Sequence, residues 1–407
     1  MQHNNNTPTI RFAGFTDAWE QREFGNIVSE YTDPVTTPTT GYFRLGIKSH
    51  AKGTFHSYVR PGMELGTGQM HRVAADKFIV NITFGWEHAV AITTNEDAGK
   101  LVSHRFPQFS FAAGMVPRYF RYLILDEDFR YHLWLASPGG AGRNRVLKIS
   151  EMLEYRFYFP SKEEQEKIAA FLTSLDSLIT LHQRKYDRLV DIKKSLLDKM
   201  FPKNGETVPE VRFSGFTDAW EQRKLKDISL LITKGTTPLD KSGEGNINFV
   251  KIENIDPDSG EICITQRISQ RAHETYLRRS QLKENDILFS IAGTLGRVTS
   301  VKSSIIPANT NQALAIVRLK KGLLNYVKTF LKGRAVTEFV RKNPTIGAQP
   351  NLSLEQVGSI EISLPCVEEQ RQIGCMFHRL DSLITLHRHK LERLQNIKKA
   401  CLEKMFV

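Results

Sequence analysis

Residues 176–201, DSLITLHQRKYDRLVDIKKSLLDKMF, recur at 381–406 as DSLITLHRHKLERLQNIKKACLEKMF, with 17 of 26 residues identical. Read at alternating steps of three and four, each copy places mainly apolar residues on one stripe, the heptad pattern of a helix that pairs with another helix. Two matching stripes in one chain can bury each other, so the sequence predicts two long antiparallel helices. The predicted seam between them consists of Leu175, Ile179, Tyr186, Leu189, Leu196, Leu380, Ile384, Leu391, Leu394 and Cys401.

Polar residues occupy equivalent steps of the two stripes: His182 and Lys193 in the first, His387 and Lys398 in the second. We interpret them as polar seam residues that set the register of the helices, in preference to a ligand-binding role for the histidines. Both helices are expected to begin after a proline (Pro160 or Pro365), because acidic residues follow that suit the positive end of a helix.

A second repeat lies upstream of each half. Residues 11–22 read RFAGFTDAWEQR and residues 212–223 read RFSGFTDAWEQR. The spacing of Asp17 and Glu20 is that of a capping box and predicts a short helix. The near-identity favours a duplicated core element; the alternative is a docking patch for two copies of a partner. The aromatic residues of this motif are Phe12, Phe15, Trp19, Phe213, Phe216 and Trp220.

The two repeats divide the 407 residues into two similar halves. Between the repeats lie two unlike stretches, which we call body 1 and body 2. Both contain strand-like runs, a later helical stretch and a strand before the long helix, so we predict an α+β fold with a pseudo-twofold internal repeat. Pro8 matches Pro209, so the chain ends are expected to meet where one half begins. The predicted divisions are a leading segment (1–23), body 1 (24–160), the first long helix (161–203), a linker with the second leading segment (204–223), body 2 (224–365) and the second long helix (366–407).

Composition narrows the function. The chain is 40% apolar and 25% charged, with a net charge of +12. Body 2 carries 20 basic and 13 acidic residues and body 1 carries 15 and 12, which favours a polyanionic partner, usually nucleic acid. No membrane span or secretory signal is expected. The four cysteines have no CxxC spacing, so we expect neither a disulfide framework nor a zinc site, and a reducing cytosol fits best.

Body 2 and the helix that follows it carry motifs in a particular order. ITKGTTP (232–238) precedes NINFVKIENI (246–255), and KENDILFSIAGTLGRV (283–298) precedes NTNQALAIV (309–317) and QPNLSLEQVGSIEISLPCVEEQRQI (349–373). This order resembles the target-recognition domain and conserved helix of type I restriction–modification specificity (S) subunits. Body 1 is similar in a looser way, with FGWEHAV in place of the GTLG loop. The resemblance covers essentially the whole chain.

The resemblance implies a non-catalytic subunit. Each target-recognition domain would read one half of a bipartite, asymmetric site in double-stranded DNA, while the long helices set the spacer. Two modification subunits would dock on the helices and leading segments to methylate adenine at N6, and motor–nuclease restriction subunits would cleave unmodified DNA. S-adenosylmethionine, ATP and magnesium are expected on these partners and no cofactor on this chain. We expect a cytoplasmic protein, associated with the nucleoid when bound, with no membrane partner.

Side chains able to bond base edges or phosphates are the candidate DNA contacts. In body 1 they are Arg44, Lys48, Lys52, His71, Arg72, Arg143, Asn144 and Arg145. In body 2 they are Lys234, Thr236, Thr237, Arg278, Arg279, Arg297, Asn309, Asn311 and Gln312.

Two other function classes stay open at this point. One is a non-catalytic, two-lobed scaffold that bridges other proteins through a helical hairpin. The other is a stand-alone nuclease or methyltransferase, which ranks last because the sequence has no GxxxxGK[ST] loop and no [DNS]PP[YF] tetrapeptide. The histidines have no metal-ligand spacing, so no catalytic residue and no metal site is predicted.

Overall fold

The computed structural model describes residues 6–64, 66, 68–139, 145–203, 205–239, 243–257, 259–343 and 351–407. The chain divides into two compact units, one formed by Met1–Thr180 with Glu392–Val407 and the other by Leu181–Leu391. In the described part of the chain, no helix has an apolar run long enough to cross a bilayer.

The first half of the chain contains body 1 and the first long helix. Its strands are β1 (Glu20–Glu23), β2 (Val28–Tyr31), β3 (Pro34–Thr36), β4 (Tyr42–Ile47), β5 (Thr54–Val59), β6 (Gln69–Arg72), β7 (Phe78–Val80), β8 (Val90–Ile92), β9 (Leu101–Val102), β10 (Gln108–Phe111) and β11 (Arg156–Phe159). Its helices are α1 (Pro117–Leu123), α2 (Glu127–Leu135), α3 (Ile149–Leu153) and α4 (Lys162–Lys199).

The second half has a parallel series of elements. Its strands are β12 (Glu221–Lys224), β13 (Ser229–Lys234), β14 (Ile247–Val250), β15 (Arg267–Ile268), β16 (Ile287–Ser290), β17 (Val298–Ser300), β18 (Ala308–Thr310), β19 (Leu314–Leu319) and β20 (Glu361–Leu364). Its helices are α5 (Leu225–Ile228), α6 (Gln270–Glu274), α7 (Leu324–Leu331), α8 (Arg334–Lys342), α9 (Leu354–Ser359) and α10 (Val367–Lys404).

Each body contains its own four-stranded central sheet, and the strand order is equivalent in the two bodies. Body 1 has the antiparallel order β2-β10-β7-β8, and body 2 has β13-β19-β16-β17. The bodies differ in a second sheet, which has the order β3-β6-β9-β4-β5 in body 1 and β15-β14-β18 in body 2. The predicted α+β fold with a common scaffold and divergent additions is therefore confirmed.

The long helices α4 and α10 pack together, and several residues of the predicted seam are buried. Each begins two residues after the proline named above, as expected. Along α10 the seam residues Ile384 and Leu391 are only 6% and 9% exposed, whereas Leu383, off the stripe, is 43% exposed. In one unit the end of α4 packs on the start of α10, and in the other unit the start of α4 packs on the end of α10, so the helices are antiparallel.

The polar seam residues are all partnered. Lys193 forms an ion pair with Asp381 at 2.7 Å, and Lys398 forms one with Asp176 at 2.6 Å, so the same ion pair occurs twice at positions related by the repeat. His182 and His387, also equivalent, share a hydrogen bond of 2.8 Å between their Nδ1 atoms. Because such a bond needs one donor and one acceptor, at least one ring must be neutral.

The leading segments form strands and not the predicted short helices. Glu20–Glu23 pairs antiparallel with β11, and Glu221–Lys224 pairs in the same way with β20. The capping-box prediction was wrong because the backbone groups of this segment are satisfied by a strand from the far end of the body, a contact that local spacing does not reveal.

Each leading segment also ties two helix ends together. Arg11 bonds both carboxylate oxygens of Glu164 in the first turn of α4, at 2.7 and 2.8 Å, and Arg212 bonds Glu369 in α10 at the same distances. Glu164 and Glu369 are completely buried. We call this fork between an arginine of a leading segment and the first-turn glutamate of a long helix the latch.

The leading segments reach the ends of the opposite helices as well. The amide of Ile10 donates to the carbonyl of Lys404 at 2.8 Å, and that of Val211 donates to the carbonyl of Lys199 at 2.9 Å. Each bond satisfies a carbonyl that the last turn of a helix leaves open. The first pair joins residues near both chain ends, which confirms that the ends meet.

The aromatic residues of the leading segments split into two groups. Trp19 and Trp220 are 2% exposed and belong to the cores, so the docking prediction is wrong for the tryptophans. The phenylalanines are half-buried: Phe12 packs edge-on against Phe171, and Lys167 lies over the ring of Phe15. A docking role for Phe12, Phe15, Phe213 and Phe216 stays a prediction.

We expect Arg212→Met to lower the free energy of unfolding by about 3–5 kcal/mol, because it leaves the buried Glu369 carboxylate without its partner. Arg22→Met is the matched control, since its pair with Glu20 is exposed on both sides and should contribute about 0–1 kcal/mol. Urea unfolding followed by circular dichroism measures both. Equal losses in the two variants would contradict the structural role of the latch.

Candidate nucleic-acid interface

In body 2, three loops lie at one end of the central sheet. Lys234, at the end of β13, and Phe289, near the end of β16, both pair with Ala315 near the start of β19. The loops that follow β13 and β16 and the loop that precedes β19 therefore come together. They contain the predicted TKGTTP, GTLG and NTNQ motifs.

Direct contacts join the first and third of these loops. The amide of Thr236 donates to the carbonyl of Thr310 at 3.0 Å, and the hydroxyl of Thr237 bonds the amide oxygen of Gln312. A Cβ on Gly235 would lie 2.0 Å from that same Thr310 carbonyl, so only glycine allows the loops to approach this closely. The two motifs form one continuous surface.

This surface exposes several of the predicted residues. Lys234, Thr237 and Gln312 are exposed, and Thr236 and Asn311 are half-buried. Asn311 accepts a hydrogen bond from the amide of Ala313 at 3.1 Å, which shapes the turn before β19. The exposed donors here are those that could reach a base edge or a phosphate.

Asn309 does not belong to this surface, and its predicted DNA contact is wrong. The side chain is 0% exposed. Its amide donates to the carbonyl of Leu277 and to the hydroxyl of Ser280, both at 2.9 Å, and its oxygen bonds His273. A side chain with all of these groups satisfied inside the protein acts as a structural link and cannot also read a base.

Arg297 is reassigned on similar grounds. It is half-buried, and its Nη1 donates to the carbonyls of Ile252 and Ile255 at 3.2 and 3.1 Å. These bonds attach the loop after β16 to the segment that follows β14. The guanidinium therefore stabilises the loop and does not present this nitrogen to DNA.

Arg278 and Arg279 lie in a 3₁₀ turn beside the same surface and are exposed, with no ion pair to another described residue. Sequence reasoning missed Tyr276, whose hydroxyl accepts from the amide of Leu239 at 3.0 Å at the edge of the TKGTTP loop. It also missed His273, which bonds Asn309. Both lie in the same basic run, residues 271–279, as the predicted Arg278 and Arg279, and that run is the signal that could have identified them.

In body 1, three of the eight predicted residues lie on the second sheet. Arg44 on β4 and Arg72 on β6 both pair with Leu101 of β9, which lies between them, so the two arginines flank one strand. Arg72 also bonds Asp33 at 3.3 Å, and His71 lies next to it on β6. Lys48 and Lys52 lie beyond β4 in the turn to β5 and are exposed.

The end of the central sheet in body 1 corresponds to the loop end of body 2. Here the loop after β7 contains FGWEHAV, and Arg145 lies against two tryptophan rings, those of Trp86 and Trp134. Arg105, which sequence reasoning missed, is exposed and donates to the hydroxyl of Thr83 in this loop at 3.3 Å. Arg143 and Asn144 lie outside the described residues.

His88 closes the loop after β7. It is 3% exposed and has a left-handed backbone (φ 59°), and its Nε2 has no hydrogen-bond partner among the described residues. Burial lowers the pKa of His88 to about 4, so the ring is neutral at ordinary pH. A neutral buried imidazole is consistent with a structural role in shaping the loop.

The chemistry offered by these surfaces is that of binding. Exposed guanidinium, ammonium, hydroxyl and amide groups supply hydrogen-bond donors and positive charge. Among the described residues, no three histidine, cysteine or acidic side chains are grouped as metal ligands, and the four cysteines are unpaired.

The comparison with known families decides the identity. The model of the type I restriction modification DNA specificity domain matches this chain twice, over residues 49–190 and 217–396. The chain belongs to the type I restriction–modification DNA specificity family. The first match begins inside body 1 and the second in the second leading segment, and each ends within the long helix that follows its body, so the family unit occurs once in each half.

Two curated members of this family illustrate the range of similarity. The type I restriction enzyme MjaVIII specificity subunit of Methanocaldococcus jannaschii is 25% identical over 293 residues, which are 68% of this chain and 67% of that protein. The EcoBI specificity subunit of Escherichia coli is 26% identical over 168 residues, 39% of this chain and 35% of that protein.

The crystal structure of the type I restriction–modification S subunit from M. genitalium has the same fold, with a TM-score of 0.57 and 14% identity over 98% of this chain and 99% of that one.

We expect Asn309→Ala to lower the free energy of unfolding by about 1–3 kcal/mol, because it leaves buried donors and acceptors unpaired. Gln312→Ala, on the neighbouring exposed loop, is the matched control and should change stability by no more than about 0.5 kcal/mol. Urea unfolding of the two variants measures the difference. An Asn309→Ala variant as stable as the parent would restore Asn309 as a candidate DNA contact.

We expect the stability of the chain to fall as the pH drops from about 6.5 towards 4, because the unfolded state then binds a proton that buried His88 resists. A shift of this size corresponds to roughly 3 kcal/mol at the acid end. His88→Asn, which tolerates the left-handed backbone, should remove this part of the pH dependence. Exposed His104→Asn should leave it unchanged. Urea unfolding at a series of pH values tests the prediction, which fails if both variants follow the parent.

Proposed function

We propose that body 1 and body 2 are separate DNA-reading modules of a type I restriction–modification specificity subunit, each of which reads one half of a bipartite, asymmetric site. The observation that carries this proposal is the combination of one shared sheet order with unlike loops at its end. A constant scaffold with variable loops is the usual basis of differing specificity. The ligand is inferred to be DNA because the chain belongs to the DNA specificity family.

The long helices are proposed to separate the two modules and thereby to set the unread spacer. Each helix is continuous over 38 residues, which at 1.5 Å per residue is about 57 Å. Two DNA readers that bind successive major grooves on one face need a separation of about one helical turn, near 34 Å. The helix length is sufficient for such a separation.

The outer faces of the helices are proposed docking sites for two modification subunits. Leu178 and Leu181 on α4 and their equivalents Leu383 and Leu386 on α10 are 43–46% exposed. Exposed apolar residues that recur at both copies of a repeat suit two copies of one partner. The half-buried phenylalanines of the leading segments are further candidates for this contact.

The chemistry of the complex is assigned to its other subunits. Modification subunits with S-adenosylmethionine would methylate adenine at N6 within the site that this chain selects. Motor–nuclease subunits with ATP and magnesium would cleave unmodified DNA. This chain would bind no cofactor of its own and would act in the bacterial cytoplasm.

The proposal is tested by replacing body 1 (24–160) with a second copy of body 2 (224–365). The expected result is a site whose two halves carry the same sequence, namely the half that body 2 reads in the parent. The measurement is the pattern of N6-methyladenine in a genome that expresses the chimera with its modification subunits.

The reciprocal chimera, with body 1 in both positions, is the matched control and should duplicate the other half. A chimera that retained the parental asymmetric site would contradict the proposal that each body recognises one half-site independently. A parent chain that bound DNA without sequence preference, and without loss of affinity as salt rises, would favour the protein-bridging scaffold, because phosphate contacts release counter-ions.

A further inference from the structure

An aromatic cluster lies at the loop end of the body 1 sheet. It contains Trp86, in the 3₁₀ turn after β7, together with Tyr131 and Trp134 on α2. The rings of Tyr131 and Trp134 stack with a centroid distance of 5.9 Å and an angle of 11°. They are nevertheless 58% and 42% exposed, so the stack is on the surface and outside the core.

The guanidinium of Arg145 lies against two of these rings. Its central carbon is 4.8 Å from the ring centre of Trp134 and 5.9 Å from that of Trp86. Contacts of this kind attract a cation to the ring face and restrict the orientation of the guanidinium plane. We call Arg145 with Trp86 and Trp134 the arginine clamp.

The backbone holds the clamp in place. The amide of Leu147 donates to the carbonyl of Ile82 at 2.8 Å, and that of Lys148 donates to the carbonyl of Ala136 at 2.9 Å. These bonds tie the segment after Arg145 both to the loop after β7 and to the end of α2. A Cβ on Gly85 would lie 2.9 Å from that of Leu147, so the glycine permits this approach.

The donors of Arg145 are unused within the described part of the protein, where the side chain has neither an ion pair nor a hydrogen bond. Acidic side chains of α2 and α3 are engaged with other cations: Glu127 bonds Arg130, and Glu151 bonds Lys148. Arg11 and Arg212 show the contrasting arrangement, in which the fork is closed on a buried carboxylate. Arg145 is therefore oriented by aromatic rings with its hydrogen-bonding capacity available to an external group.

A fixed guanidinium plane favours a planar acceptor with two oxygen or nitrogen atoms side by side. A phosphate can be bound by any mobile cation and gains little from such a constraint, whereas the O6 and N7 atoms of guanine match the arginine fork in the major groove. The position of the clamp supports a DNA ligand. It lies at the end of the body 1 sheet that corresponds to the end of the body 2 sheet where the exposed loops lie.

We propose that Arg145 reads a guanine in the half-site recognised by body 1, with Trp86 and Trp134 holding its guanidinium in the base-reading orientation. This inference rests on the proposed function and assigns one specificity-determining residue to it. Trp86 and Trp134 are positioning residues that act through Arg145.

The test uses the full chain with its modification subunits and a set of DNA duplexes that carry every single-base change in the methylated site. Arg145→Ala should reduce discrimination at one G·C pair of the body 1 half by about tenfold to a hundredfold. Discrimination at every position of the body 2 half should stay unchanged. Arg145→Lys should lose most of the same discrimination, because it keeps the charge but not the fork.

Trp134→Leu should lose part of the discrimination at the same base pair and at no other, which separates a positioning role from a general folding defect. Arg130→Ala is the matched control: it removes an arginine from the same helix, one that bonds Glu127, and should leave specificity unchanged. Thermal unfolding of each variant verifies that body 1 is folded.

Three results would overturn the assignment. A uniform loss of affinity for all duplexes would identify a phosphate contact. Unchanged recognition together with weaker assembly of the complex, measured by size-exclusion chromatography, would identify an acidic partner protein as the ligand of the clamp. Unchanged recognition and assembly would leave the clamp without a role. None of these results affects the proposed function, which fails if the parent chain discriminates at no position of either half.

Discussion

The structure depends on the latch between each leading segment and the start of a long helix. Arg11 and Arg212 close on Glu164 and Glu369, carboxylates that are fully buried and would be strongly destabilising without a partner. The same leading segments cap the far ends of α10 and α4 through backbone hydrogen bonds. In each unit the leading segment thus joins the beginning of one helix to the end of the other.

The way each body is attached allows its loop sequences to vary. The strand pairs β1–β11 and β12–β20 attach each body through backbone bonds, which depend little on side-chain identity. The glutamine after each latch glutamate repeats the principle: Gln165 accepts from the amide of Val116 and Gln370 from that of Leu323, at 3.0 and 3.2 Å. The residues on which the attachment depends therefore lie at the borders of each body, and the loops at the sheet end can vary without affecting the attachment.

Sequence reasoning succeeded where a signal is periodic or repeated. The long helices, their seam and the matching halves follow from heptad spacing and from two internal repeats, because those patterns report burial directly. The leading segment was predicted as a helix because Asp17 and Glu20 have capping-box spacing, yet its partner strand is more than 130 residues away. Local pattern cannot detect a strand pairing of that separation.

The sequence predicted the residue types of the candidate interface. It did not predict which of those residues stabilise the fold and which remain available to DNA. Asparagine and arginine can read bases, but the same donors equally satisfy buried groups, as Asn309 and Arg297 do. What distinguishes Arg145 from them is its surroundings, which are supplied by residues 59 and 11 positions earlier in the chain, Trp86 and Trp134. An arginine that is oriented by aromatic rings keeps its hydrogen-bond donors for a ligand, whereas the donors of an arginine bonded within the protein contribute to the stability of the fold instead. The distinction between a stabilising and a specificity-determining arginine is therefore a property of the folded environment, and it becomes visible only when all of the partners of a guanidinium are known.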